Sequence, residues 1–293
     1  MKIHNILPQF LACLKKWEQK PTQAEFLKEY FQPNEELLAV IFDGGSEEFY
    51  SVLEELDWKT YRTAAILLDP KKEEQRVLKY IQKVEKLFGF PLEGSVLLFG
   101  AFACMDGYAR FDRGTHCVYL GVDESHHRDG YLDILIAHEL THVARESRGF
   151  VWESFGLDPK MTHDQFTDTL PVIEHLFGEG FSCAVSELLV PDQDPWLYAY
   201  QSKESLAQVL SQAAGVEKQI KKELAKRDGD YGRLYDPRLY GKNLPSLSHY
   251  VWAWQWAKQL LEEKAHSDPK KLISISSREM IQDAMQFKLK KIT

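Results

Sequence analysis

Five consecutive residues, His138-Glu139-Leu140-Thr141-His142, constrain this chain more than any other part of its sequence. They lie in "DGYLDILIAHELTHVARESRGF", residues 129 to 150, where Leu132, Leu135, Ile136, Leu140 and Val143 recur at helical spacing. Asp129 or Asp133 suits the start of such a helix and Gly149 its stop, so the pentad is expected mid-helix. Residues four apart project from one face about a turn apart, and the imidazoles of His138 and His142 can then reach a single metal ion. Glu139 stands beside that pair, where a carboxylate serves as general base toward a metal-activated water. Chance alone produces such a pentad in about a few per cent of chains of this length. Two histidines on a buried helix face without a third ligand would be an unpaired polar liability, so the fold must bring one more donor here.

The stretch "TLPVIEHLFGEGFSCAVSELLVP", residues 169 to 191, offers that donor. Pro171 suits a first helical turn and Pro191 an end, while the apolar residues between them fit a buried helix. Gly178 and Gly180 weaken that helix, which implies the close approach of another backbone. Glu179 lies between them, and Ser182, Cys183 and Ser186 follow on its face, so this helix can pack tightly on the first and present an oxygen. Glu179 is the expected third ligand, with Glu174, His175, Glu187 and His163 as rivals.

At 293 residues and 44% hydrophobic composition, the chain can bury one large core or two modest ones. A net charge of −8 and a pI near 5.7 give no extended basic surface for a nucleic-acid backbone. No run approaches the roughly 18 apolar residues of a membrane span. Cys13, Cys104, Cys117 and Cys183 are scattered, as expected of reduced thiols in a cytoplasmic protein.

Residues 1 to 20 read as an amphipathic helix, "LLAVIF" (37 to 42) and "AAILL" (64 to 68) as short strands, and Lys71 to Phe88 as a helix burying Val77, Ile81, Val84, Leu87 and Phe88. "SVLLFGAF" (95 to 102) and "CVYLGVD" (117 to 123) read as a hairpin or as neighbouring strands of one sheet. Beyond residue 129 the pattern is helical, with polar loops near 147 to 168 and 227 to 244. These elements predict an α+β fold with a small, mostly N-terminal sheet, the pentad helix packed on it and a largely helical C-terminal half. Residues 1 to 90 form an N-terminal segment without a readable role, and 91 to 293 the catalytic domain, unless the two are one continuous unit.

"HELTH", followed after 36 intervening residues by "EGFSC", resembles the gluzincin metallopeptidases. Within them it is most similar to the zinc-dependent proteases predicted in bacilli, which carry H-E-x-x-H and a later E-G-x-A helix. The resemblance spans about residues 95 to 265 and implies a zincin-like zinc peptidase with one ion per chain. His138, His142 and Glu179 would be its ligands, Glu139 its base, and a peptide or protein its substrate. Many gluzincins have an acidic residue four places after the ligand glutamate, orienting the first histidine. Here that place is Cys183, so the partner of His138 is expected to be Ser182, Glu187 or a backbone carbonyl.

Similar enzymes take an oxyanion donor from a later helix, and "NLPSLSHYVWAWQW" supplies Tyr250 first and His249 second. Trp252, Trp254 and Trp256 in the same segment argue equally for a core helix. The likeness also makes "AFACMDGYARF" (101 to 111) the edge strand that would receive an extended peptide. Arg238 fits a substrate carboxylate or simple solvation, and His126 and His127 read as an exposed turn rather than a second metal site. Two competing functions survive: a zincin-fold binding module without catalysis, which would have no use for Glu139, and a zinc hydrolase of some non-peptide amide.

Overall fold

The computed structural model describes residues 1–41, 52–125, 130–147, 149–226, 231–235 and 245–290. Its sheet has four strands, β1 (Lys2–Asn5), β2 (Ser95–Phe99), β3 (Gly107–Asp112) and β4 (Thr115–Gly121), in the order β1-β2-β4-β3. β1 runs parallel to β2 and β2 parallel to β4, while β3 closes the far edge antiparallel to β4. β2 and β4 are thus neighbours, and the hairpin is β3–β4, turning through Arg113 and Gly114 at positive φ. The remainder is mostly helical, which agrees with a mixed α and β class. No helix among the described residues is long and apolar enough to cross a membrane, and the four cysteines are unpaired.

The N-terminal third departs from the sequence expectation. Its first residues form β1, and the helix α1 (Leu7–Lys16) starts only after Ile6. "LLAVIF" lies in a short helix, Glu35–Leu38, and the turn after it, with Phe42 outside the described residues. "AAILL" closes the helix α2 (Trp58–Ala65) and continues into a turn. Both runs are apolar and short, a pattern that a buried helical turn satisfies as well as a strand does.

The 71 to 88 helix appears as α3 (Pro70–Phe88), capped by the Asp69 carboxylate on the Lys71 and Lys72 amides and stopped by Gly89 at φ 81°. It buries Val77, Tyr80, Ile81, Val84 and Phe88, whereas Leu87 stays half-buried. The pentad helix is α4 (Tyr131–Glu146), buried nearly all round because it lies between the sheet, α3 and the helix α7 (Val172–Leu189). Gly130, at φ 72°, takes the N-cap place, Asp133 sits in the first turn, and Asp129 lies outside the described residues. Gly149 does not stop α4; it opens a separate helix, α5 (Gly149–Phe155), within the stretch read as a loop.

Following α5 comes α6 (His163–Thr169), whose Thr162 and Gln165 form a reciprocal cap. Val151, Leu157, Phe166 and Leu170 pack with Phe111 of β3 in a small apolar cluster apart from the main core. The C-terminal half adds α8 (Lys203–Ser211), α9 (Ala213–Leu224) and α10 (Ser248–Glu263). The main core runs from Leu7 to Phe287 without a break at residue 90. Tyr30 hydrogen-bonds both polar groups of Gly100, and Tyr61 donates to Asp123, which also accepts the Ala101 and Ala103 amides. The early helices thereby set the loop that leads into edge strand β3.

Candidate metal centre

α4 carries His138 and His142 on the face that meets α7, and α7 answers with Glu179. The Nε2 atoms of the two histidines are 3.1 Å apart, and Glu179 Oε2 lies 3.1 Å from His138 Nε2 and 3.4 Å from His142 Nε2. Ligands roughly 2.0–2.1 Å from a tetrahedral ion stand about 3.3 Å from one another, so this triangle has the size that zinc imposes. Two imidazole nitrogens and a carboxylate oxygen also suit zinc chemically and leave a fourth position open. The residues present therefore fit a zinc ion.

Two glycines flank Glu179, and one of them marks a close approach of backbones. A Cβ on Gly180 would fall 2.1 Å from the Ala253 carbonyl oxygen, so α10 and α7 touch backbone to backbone there. A Cβ on Gly178 would meet only the edge of the His142 ring, at 3.6 Å. The close backbone inferred from sequence thus belongs to α10 and not to α4. Successive helix residues point about 100° apart, so Glu179 projects into the groove between these two contacts.

Charge in the site is balanced locally. Burial disfavours the Glu179 carboxylate, but the adjoining imidazoles outweigh it and hold the pKa well below the usual range. Burial also opposes a charge on His142, yet Glu179, Glu139 and Glu146 together lift its pKa to about 9. His138, with burial dominant, is shifted downward. Glu139 is pushed up to about 7, chiefly by burial, although the Ala109 amide of β3 faces its carboxyl. A carboxylate poised there exchanges a proton readily near neutrality.

Each imidazole has a different partner behind it. Cys183 Sγ lies 3.7 Å from His138 Nδ1, so the group in contact is the thiol and not Ser182 or Glu187. Burial keeps that thiol well above its ordinary pKa and therefore neutral. Glu187 is turned away, accepting from Trp254 Nε1 and Lys258 Nζ, and the buried Ser182 hydroxyl makes no hydrogen bond among the described residues. His142 Nδ1 instead faces a carboxylate, Glu146 Oε1 at 3.8 Å, whose other oxygen lies 3.6 Å from His116 Nε2. Glu146 was missed in the sequence although it stands four residues after His142, the same spacing that pairs the histidines.

None of the rival ligands joins the triangle. Glu174 is locked to Arg145 by two hydrogen bonds of 2.6 and 2.8 Å, and His175 stacks on Tyr231 at 3.5 Å. Glu187 is engaged as described, and His163 contacts the Tyr108 hydroxyl across from α6. The triangle opens on a cleft of about 480 Å³. Gly107, Tyr108 and Ala109 of β3, residues of α6, and Tyr231, Tyr235 and Tyr250 line it. A Cβ on Gly107 would come 2.7 Å from Leu135 and 3.3 Å from Glu139, so its absence lets the edge strand lie directly on α4. Of the 101 to 111 stretch only residues 107 to 111 are strand, the first five of β3; Phe102 and Ala103 turn at positive φ.

Tyr250 lines the cleft with its ring 6.3 Å from that of His138. His249 does not line it: its ring is 1% exposed and packs edge-on against Tyr235 at 4.6 Å, so it lacks the access an oxyanion donor needs. Trp252 and Trp256 are buried core residues. Tyr235, unsuspected in the sequence, reaches the site from a helical turn, Gly232–Tyr235, and donates to Glu179 Oε1 at 3.0 Å. Arg238, His126 and His127 lie outside the described residues. No protein-family model, no curated protein and no solved structure matches this chain, so what the site can do is read from its own atoms.

Proposed function

We propose that this chain is a zinc-dependent peptidase of gluzincin type, with His138, His142 and Glu179 holding one ion. The observation that carries the reading is the triangle of donors, 3.1, 3.1 and 3.4 Å on its sides, with the Glu139 carboxyl beside it. A zinc ion bound there supplies Lewis acidity, which acidifies a water and polarises a scissile carbonyl.

The chain's own groups do the rest. Glu139, in its buried place under β3, takes the proton of the attacking water on a carboxylate oxygen and later passes it to the leaving amine. Tyr250 offers a phenol from the cleft wall to the developing oxyanion, the role expected of it in preference to His249. The cleft holds a chain segment between β3 and α6, and the Ala109 amide serves Glu139 rather than the peptide.

Digestion of a peptide library tests this directly, with a chelator-treated sample and Glu139→Gln beside the native protein. Cleavage by the native chain should vanish with chelator, and Glu139→Gln should retain its metal while losing about 10²–10⁴ in rate. Cleavage that Glu139→Gln leaves intact would remove the general-base role.

A further inference from the structure

We propose that Tyr235 is a positioning residue of the metal site: its phenol holds Glu179 so that one chosen carboxylate oxygen, Oε2, faces the two imidazoles. This role presupposes the metal site proposed above. The Tyr235 hydroxyl lies 3.0 Å from Glu179 Oε1, the oxygen opposite the one near His138 and His142. A carboxylate has no proton to give, so the phenol donates and fixes the rotation of the group. Its lone pairs remain free to accept, and the Tyr250 hydroxyl stands 3.4 Å away. The cleft phenol proposed for the oxyanion is thereby tied, through Tyr235, to the ligand carboxylate.

The packing around Tyr235 serves to aim it. Leu234, its neighbour in the turn, is 2% exposed and anchors this short piece of chain in the core. Tyr231, at the start of the piece, lies flat on His175 of α7 at 3.5 Å. The Tyr235 ring meets the His249 ring edge-on at 4.6 Å and the Tyr250 ring at 6.2 Å. His175 and His249 thus gain a structural role: they seat Tyr231 and Tyr235, the two ends of the short piece of chain that brings a phenol to Glu179. With burial dominant, both imidazoles are pushed down to about 4 and stay neutral at ordinary pH, as stacking partners of phenols should.

Losing the phenol frees Glu179 to turn and bring its second oxygen inward. Groups that orient metal ligands typically contribute about 10–100-fold in affinity. Tyr235→Phe keeps the ring and its packing and removes only the donor, so it isolates this contribution. Zinc affinity, measured by chelator competition on the native chain and Tyr235→Phe, should fall about 10–100-fold in the variant while the melting temperature of the metal-free protein stays the same. The visible absorption of the cobalt-loaded variant should weaken, as it does when coordination number rises. Equal zinc affinity and identical cobalt spectra in the two proteins would overturn the role of Tyr235 and leave the metal site standing. A native chain that takes up no zinc would overturn both.

Discussion

Two carboxylates on α7, five residues apart and both turned toward α4, have opposite fates. Glu174 is paired with Arg145 in a geometry that uses both its oxygens, and Arg145 fills its remaining donors with the Ile273 and Ile275 carbonyls and the face of Phe177. Glu179 meets two imidazoles and a phenol, and the positive charge that faces it is a proton it helps to hold on His142 rather than a permanent guanidinium. One end of the α4–α7 interface is therefore closed by a permanent ion pair, while at the other the Glu179 charge is offset by an imidazole proton that a bound cation would replace. Burial alone does not distinguish Glu174 from Glu179; the kind of partner does.

The largest effect should come from the closed end. Glu174→Gln leaves Arg145 buried without its counter-charge, which typically costs about 3–5 kcal/mol. Denaturant unfolding should register that loss while zinc stoichiometry remains at the native value. A variant of native stability that has lost its metal would reverse the two roles. Next in size is Gly180→Ala, whose methyl would meet the Ala253 carbonyl and push α10 off α7, at about 3 kcal/mol. Gly178→Ala, one residue before the proposed ligand Glu179, meets only ordinary contact and gains helix propensity, so its melting temperature should hold or rise.

The partners behind the imidazoles should differ in the same sense. Glu146→Gln removes the charge facing His142 and should weaken zinc binding about tenfold or more, roughly 1.4 kcal/mol and upward. Cys183→Ser exchanges one neutral group for another behind His138 and should change zinc affinity less than Glu146→Gln does. Chelator competition on the two variants ranks them, and an equal or inverted ranking would mean that charge behind the imidazole is not what matters.

Much of this site was legible in the sequence, for a physical reason. Helical spacing is rigid, so His138 and His142 had to share a face, and Glu179 between two glycines had to enter a tight groove. Glu146 obeys the same rule, but a carboxylate four residues after a histidine is common on any solvated helix face and does not by itself announce a partner of the imidazole. Tyr235 follows no such period: it belongs to a turn in a polar loop, and only the three-dimensional packing of Leu234 and Tyr231 brings it to Glu179. The early fold was hidden differently. Two apolar runs of strand length became helix and turn, and the strand β1 spans just Lys2–Asn5, too short for alternation to announce it. The sheet edge was foreseen in place but not in detail, since the Ala109 amide faces Glu139.

Metal content decides the central claim. Purified native chain and Glu139→Gln should each carry about one zinc per chain, and Glu179→Ala should carry none while retaining a folded α4 and α7 by circular dichroism. Full zinc occupancy in Glu179→Ala, or none in the native chain, would contradict the reading of His138, His142 and Glu179 as a metal centre.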